Sequence, residues 1–480
     1  MILGQQYYLD TFKVTVPQLE NLVRTALQHG GGFADLYFEN TYYSNLILKD
    51  GEVTSGGFHS DYGVGIRVLD GEHTGYAYSE STDANDMLQA AKAASSIAGQ
   101  DINKAGHIGG ALCGTKAWEH PGYDFYPVVM DWRDQSLKQF LPFLNKLEKE
   151  IRNRDQRVEK VIAVMSNSMS DVLMYNSLGE ITFETRPMGS VSCQVIFSQN
   201  GKNISKTASR SFRMGAEMID NDLIYELSDQ IMKNLDAAFE AQRPKGGVMS
   251  VVMGAGASGI LLHEAMGHAF EADFNRKGQS IFSEKMGQKI CDNNISIVDD
   301  STLAWNRGSG NYDDEGVRGE KTFMVRDGIL TSYLHDRISA NWYGVKPTGN
   351  GRRENFRYNP IPRMRATYME PGNMEAADII ASVKNGIYVD EFSNGQVKIG
   401  EGDFTFFVKS GFLIENGRLT MPIKDINIIG NGPQALADIS MVGNDLIVDD
   451  GTWTCGKEQS VPVSCGIPTV RVENLVVGGE

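Results

Sequence analysis

Cysteine is scarce in this chain of 480 residues. There are five, at positions 113, 193, 291, 455 and 465, odd in number and nowhere in a CxxC pair. That spacing excludes a disulfide framework and fits a reducing compartment, so a cytoplasmic setting is expected. Each cysteine reads first as a small buried hydrophobe, though any one can serve as a metal ligand. Long apolar runs are missing too, and none reaches membrane-spanning length. The opening MILGQQYYLDTFKV shows no basic segment followed by an apolar one, so no signal peptide is expected. Positive charge is in deficit: Lys and Arg total 45 against 61 Asp and Glu, a formal net charge of −16. Phosphate neutralisation needs clustered cations, which argues against nucleic-acid binding.

What remains is an ordinary globular mix, 41% hydrophobic and 22% charged, long enough for about three domains with sizeable cores. Val16–His29 carries an apolar helical stripe (Leu19, Leu22, Val23, Ala26, Leu27) and ends at Gly30–Gly32. Strands follow at Asp35–Glu39, Ser44–Lys49, Val53–Gly57, Gly63–Leu69 and His73–Tyr78, with Asp-Gly turns at 50–51 and 70–71. A helix is expected over Asp83–Ala98. Gln100–Tyr126 is loop-like, and its His107 and His120 read as solvated. Asp131–Arg154 is helical, with Pro142 set to kink or split it. Strands run from Val158 to Arg213, turning at Ser177–Gly179 and Asn200-Gly201, before a helix over Asp222–Gln242 and a linker at Pro244–Gly247. The fold class expected is α+β, antiparallel sheets with helices. It divides into a unit over 1–125, a second over 126–243 that can merge with the first, and a large mainly β unit over 244–480.

The chain is organised around VMSVVMGAGASGILLHEAMGHAFEAD, Val248 to Asp273. It reads as a short strand, a Gly-rich turn and a helix bearing His263, Glu264 and His268. Two histidines with an adjacent glutamate are the parts of a hydrolytic zinc site. The spacing is unusual. HExxH sets its histidines about 40° apart on a helical wheel, whereas i and i+5 lie about 140° apart. A regular helix cannot aim both at one ion, so HExxxH is chance or a special geometry, with the distortion expected at Gly267. Gly254, Gly256 and Gly259 also spell GxGxxG, a dinucleotide fingerprint. The polar sequence after Asp273 lacks the second strand with a terminal acid, and the alternative is a tight turn that packs strand against helix.

Further on, the acidic residues Asp299, Asp300, Asp313, Asp314 and Glu315 read as a solvated loop face. His335 reads as a polar surface residue. Gly349–Tyr368 carries Arg352, Arg353, Arg357, Arg363 and Arg365, read as structural partners of the acidic loop in preference to a site for a peptide carboxylate. Asn373–Asn385 looks helical, and strands dominate from Ile387, with turns at Asn394-Gly395 and Asn416-Gly417.

The chain resembles the TldD side of the TldD/PmbA family, also labelled peptidase U62 or modulator of DNA gyrase. The carriers are HEAMGH (His263–His268) with FEADFNRKG after it, DDEG (Asp313–Gly316), PTGNGRRE (Pro347–Glu354), PRM and TYM (Pro362–Met369), SMVGNDL (Ser440–Leu446) and CGKE (Cys455–Glu458). The resemblance implies a zinc metallopeptidase with one Zn2+ per chain on His263, His268 and Cys455, with Glu264 as general base. It also implies extended or unfolded peptides as substrates and a homodimer, or a heterodimer with a paralogue lacking HExxxH. The residues alone did not select Cys455, since Glu271, Asp273 and Cys291 lie nearer in sequence. The family often places a glycine before the Gln of this last motif, where Glu458 here runs directly into Gln459. The opposing readings are a non-catalytic peptide-binding scaffold and a nucleotide-binding protein.

Overall fold

A computed structural model describes residues 3–98, 115–116, 123–256, 258–398 and 401–479. His107, Cys113 and His120 lie outside them. The helices α1 (Gln5–Thr11) and α2 (Val16–Ala26) open the chain. Thr15 and Gln18 close the start of α2 with a capping box, and Leu19, Leu22, Val23 and Ala26 are its buried stripe. No reading of the sequence anticipated α1.

Six strands then form one antiparallel sheet: β1 (Phe33–Lys49), β2 (Glu52–Asp70), β3 (His73–Ser79), β4 (Val158–Asn176), β5 (Ile181–Gln199) and β6 (Lys202–Phe212), in the order β3-β2-β1-β4-β5-β6. The first two expected units therefore share a single sheet. The four short strands expected over 35–69 are two long ones, β1 and β2, because the ladder continues through the polar residues between the apolar runs, from Phe33↔Leu69 to Lys49↔Glu52 with one register shift between Ile47 and Leu48. The helices α3 (Ala84–Ala98), α4 (Leu141–Arg154), α5 (Asn221–Met232) and α6 (Leu235–Glu240) belong to the same layer. Pro142 splits the expected long helix as its missing N–H requires, and it stands in the first turn of α4. Asn234, with φ 52°, separates α5 from α6.

Side chains alternate across a strand, which decides what each face of this sheet does. Leu36, Phe38, Leu46 and Leu48 of β1, with Val161, Ala163, Leu173 and Tyr175 of β4, pack against the helices in two apolar cores. Asp35, Tyr37, Glu39 and Thr41 point the other way, with Arg67, Glu184 and other polar residues, yet they are buried as well. This polar face is covered by the C-terminal part of the chain.

That part contains two larger sheets. One ring is made of β7 (Gly247–Met253), β14 (Asn385–Val397), β15 (Asp403–Glu415), β17 (Ile426–Asn431) and β23 (Val470–Gly478), closed by the pairing of β14 with β15. The strands β16 (Arg418–Ile423) and β18 (Ile439–Val442) lie alongside. The other sheet runs β10 (Ile329–Leu330), β9 (Lys321–Arg326), β8 (Ile297–Asp300), β13 (Ala366–Met369), β22 (Ser464–Ile467) and β19 (Ile447–Val448). Two ribbons complete it: β11 (Gly351–Arg352) with β12 (Ile361–Pro362), and β20 (Thr454–Lys457) with β21 (Gln459–Pro462). The α+β class with a β-rich C-terminal part is as expected.

Several local expectations are corrected. Asn394-Gly395 is no turn: β14 runs through it, with register irregularities between Val389 and Asn394. The acidic stretch is not solvated. Asp299, Asp300, Asp313, Asp314 and Glu315 are all buried. Asp314 pairs with Arg186 of β5, and Glu315 with Arg67 of β2, so these acids join the C-terminal part to the polar sheet face. Arg357 likewise bridges to Asp61 and Glu80, in keeping with the structural role read for the arginine stretch. His335 is buried rather than on the surface, and burial lowers its pKa to about 4.

Candidate metal centre

Three short helical segments carry the central motif: α7 (Gly259–Ala265), a 3-10 turn over Gly267–Phe270, and α8 (Ala272–Arg276). The α-helix stops at Met266, with φ −129° and ψ −42°, and restarts with a tighter winding. This break solves the problem posed by the i, i+5 spacing. His263 leaves from the last turn of α7 and His268 from the 3-10 turn, and their ring centroids come within 5.3 Å, nearly perpendicular at 78°. The distortion falls at Met266 and Gly267, next to the expected place. Gly267 is required there by proximity, because a Cβ would stand 2.3 Å from the Met364 sulfur.

The glycines of GxGxxG are likewise occupied with packing. A Cβ at Gly254 would meet the Tyr388 hydroxyl at 2.3 Å, one at Gly259 would meet the Gly466 backbone at 2.7 Å, and Gly256 takes φ +91°. These are the needs of a tight turn that seats α7 on β22 and β14.

Cys455 arrives from far along the chain on the β20–β21 ribbon. Its Sγ lies 3.3 Å from His268 Nε2, and the ligand atoms of His263, His268 and Cys455 all fall within 4.8 Å of one another. All three residues are buried. Neither ring nitrogen of His263 has a hydrogen-bond partner. Two orphaned imidazole nitrogens in a buried site are costly unless something binds one of them. Tetrahedral zinc, with bonds of about 2.0–2.3 Å, sets its donors about 3.5 Å apart. The donor set therefore fits a soft, nitrogen- and sulfur-loving ion.

The groups behind the donors fix their state. Glu271 Oε2 meets His268 Nδ1 at 2.9 Å, which leaves Nε2 facing the centre. Lys457 Nζ lies 3.0 Å from the same carboxylate and 2.8 Å from Asp273. Burial resists charge on Glu271, yet Lys457 and His268 together bring it down to about 2. From the protein's own groups alone, burial also resists ionisation of Cys455, but the His263 and His268 rings lower its thiol to about 5. Burial lowers and Glu271 more than restores the His268 pKa, to about 10. The centre is thus built to hold a thiolate beside positive charge. Arg363 donates to the backbone carbonyl of Cys455 at 2.7 Å and to that of Gln459 at 2.8 Å, which pins the ribbon in place.

The carboxylate of Glu264 stands on the open side. It is 30% exposed, and Oε2 lies 3.9 Å from His268 Nε2. Of the nearer acids considered for the third donor, Glu271 and Asp273 belong to the support behind His268. Cys291 sits in the apolar core and is outside the three-residue group. Lys457 and Arg363 were not anticipated as supports. The only sequence signals for them were their places inside CGKE and PRM.

Known proteins resemble the chain along nearly all of its length. Residues 246–479 match the PmbA/TldA metallopeptidase C-terminal domain, residues 34–98 its domain 1, and residues 131–238 its central domain. The metalloprotease TldD homolog of Haemophilus influenzae is 37% identical over 459 residues, 93% of each chain. The chain belongs to the PmbA/TldD family and is a metallopeptidase. Two solved structures share the fold. One is a Thermotoga maritima protein described as a modulator of a DNA gyrase, with TM-score 0.76, 21% identity, and coverage of 97% of this chain and all of that one. The other is TldE from Thermococcus kodakarensis, with TM-score 0.74, 19% identity, and coverage of 96% and 100%. Among the described residues, no helix of this family member is long and apolar enough to cross a membrane.

Proposed function

We propose that the chain is a zinc-dependent peptidase that hydrolyses peptide bonds in extended or unfolded polypeptides. His263, His268 and Cys455 would hold one Zn2+, and Glu264 would act as general base. The observation that carries this reading is the convergence of two imidazoles and a low-pKa thiol from three separate segments, with the partly exposed carboxylate of Glu264 beside them. When bound, zinc supplies Lewis acidity toward the scissile carbonyl and lowers the pKa of water toward neutrality.

The chain's own residues do the rest. Glu264 accepts a proton from the attacking water and returns it to the leaving amine. Glu271 keeps the proton of His268 on Nδ1, so that Nε2 stays a donor of electrons. Lys457 holds Glu271 ionised, and Arg363 fixes the Cys455 carbonyl so that the thiolate keeps its aim. In this reading the units 1–125 and 126–243 share one sheet and 244–480 bears the site. Membership of the family, with the resemblance that carries it, supports assembly as a dimer, either of this chain alone or with a paralogue lacking HExxxH. The free cysteines 193, 291, 455 and 465 support work in a reducing compartment such as the cytoplasm.

The deciding experiment measures zinc per chain and peptide cleavage together on the parent, Cys455→Ser and Glu264→Gln. About one zinc in the parent, little in Cys455→Ser, and full zinc without cleavage in Glu264→Gln is the expected result. Ordinary cleavage by Glu264→Gln ends the general-base assignment. No zinc in the parent after adding it back ends the zinc-peptidase reading and leaves a peptide-binding scaffold.

A further inference from the structure

Behind the metal ribbon lies a cavity of about 300 Å³ that the peptidase chemistry does not use. One wall is the polar face of the six-stranded sheet, including Tyr37, Glu39, Thr41 and Arg186. The opposite wall is formed in part by the ribbon β20–β21, through Thr454, Ser460 and Pro462. Thr454 pairs with Pro462 across the ribbon, and Gly456 with Ser460. Cys455 and Lys457 alternate onto the other side, toward His268 and Glu271. The cavity and the metal centre thus share a wall two strands wide.

The cavity is lined by six arginines against three carboxylates, in a chain with a net charge of −16. The carboxylates are committed. Asp314 pairs with Arg186 and accepts from the Arg353 backbone. Glu39 accepts from Thr41 and the Phe356 N–H, and Glu354 accepts from the Ser460 N–H. Four arginines, Arg213, Arg307, Arg352 and Arg365, are each at least nine-tenths buried, and their guanidiniums make no ion pair among the described residues. Asp299 and Asp313 lie near enough to Arg365, and Asp314 to Arg352, to offset part of their charge. Arg307 donates to the Trp453 carbonyl and to Ser211. Arg352 donates to the carbonyls of Met364 and Pro462, and Arg365 to those of Gly349 and Tyr312. Those partners are all neutral. The Arg213 guanidinium lies over the Tyr126 ring at 5.4 Å, and its Nε has no partner.

Buried guanidiniums crowded on one another are expensive without a counter-charge. Burial first, and the neighbouring arginines next, lower the pKa of Arg352. Arg307 is brought down to about 10 by burial and by Arg213.

We propose that this cavity is a binding site for a small oxyanion of more than one negative charge. The ligand class is a phosphate group or clustered carboxylates, held by the forks of Arg213, Arg307, Arg352 and Arg365. Planar guanidinium forks match both chemistries bidentately. An anion there ties the sheet to the back of the ribbon that carries Cys455, so its binding stabilises the assembled metal centre without touching the ion.

The test uses the full-length protein exhaustively dialysed into chloride. Calorimetric titration compares inorganic phosphate and succinate, with acetate as the singly charged control. Zinc content is checked before and after. Saturable binding of phosphate or of succinate, and not of acetate alone, supports the site and names which source it takes. Arg213→Met and Arg352→Met should each weaken that binding at least about tenfold, the size of one lost charge-assisted hydrogen bond, while Arg213→Lys retains part of it. The unliganded Arg213→Met protein should also melt higher than the parent, because an unpaired charge is gone. Where a methionine variant does not fold, the parent stripped of metal replaces it, and a melting-temperature rise with the bound probe that chloride of equal ionic strength does not reproduce supports the site. The site is overturned if neither phosphate nor succinate binds saturably to the parent, or if binding is undiminished in both methionine variants.

Discussion

At the scale of single residues, the candidate metal centre depends on charges that oppose burial. Glu271 is fully buried, and it stays ionised only because Lys457 and His268 stand against it. It bonds the face of His268 that points away from the centre. Glu271→Gln keeps the shape and a hydrogen-bonding group but removes the charge. The imidazole then becomes a poorer electron donor, and Lys457 loses one of its two carboxylates. Metal affinity should fall about 10–100-fold, the usual cost of losing an outer-sphere carboxylate, as read by competition with a chromophoric chelator. Unchanged affinity would make Glu271 a packing residue. A direct ligand role for Glu271, which its place near HExxxH allowed, predicts a larger loss, close to that of Cys455→Ser.

At the scale of elements, the β20–β21 ribbon is the least regular part of the site. Lys457 pairs with Gln459, so Glu458 alone makes the turn, at φ 58°. A side chain in the left-handed region costs about 1–2 kcal/mol, against about 0.5–1 kcal/mol of extra chain entropy for glycine. Glu458→Gly should therefore stabilise the protein by about 0.5–1 kcal/mol in denaturant unfolding, with metal content unchanged, and a loss of stability would contradict the strain. The missing glycine was visible in the sequence. That Cys455 still reaches His268 was not, because ribbon geometry does not follow from spacing. Elements closed by local rules were legible: the capped helix α2, the Asp50-Gly51 turn with φ 49° and 80°, and the split at Pro142. So was the need for a helix break between His263 and His268, since wheel geometry demands it. Partnerships across long separations were not legible. Glu315 of a supposedly solvated loop meets Arg67, and Cys455 meets a histidine 187 residues earlier. The family resemblance, and no periodicity, supplied Cys455. The long strands β1 and β2 were read as fragments because their polar residues looked like interruptions, whereas Thr41 of β1 is buried on the polar face and residues 58–60 of β2 stay in the ladder while exposed.

At the scale of the whole molecule, the polar face between the six-stranded sheet and the C-terminal part is the joint that holds the two together. Its acids feel burial strongly. Glu39 is raised to about 7, by burial first and by Asp314 in addition, against the pull of Thr41, the Phe356 N–H and Arg186. Its ordinary value is 4.5. The folded protein therefore keeps a proton between about pH 4.5 and 7 that the unfolded chain releases. Stability from this group is fully present below pH 4.5 and is lost as pH rises through about 7. Glu39→Gln has no proton to release. The melting temperature of the parent minus that of Glu39→Gln should thus fall as pH rises across that window and level off above it, in chloride buffers free of phosphate. Other groups titrate in the same range, among them His335, but they are common to both proteins and cancel in the difference. A difference that stays flat from pH 4.5 to 7 would mean that Glu39 is ionised throughout. The neighbouring arginines, Arg186 first, would then be its counter-ions, and the joint would be an ion-pair network on this side as it already is at Asp314.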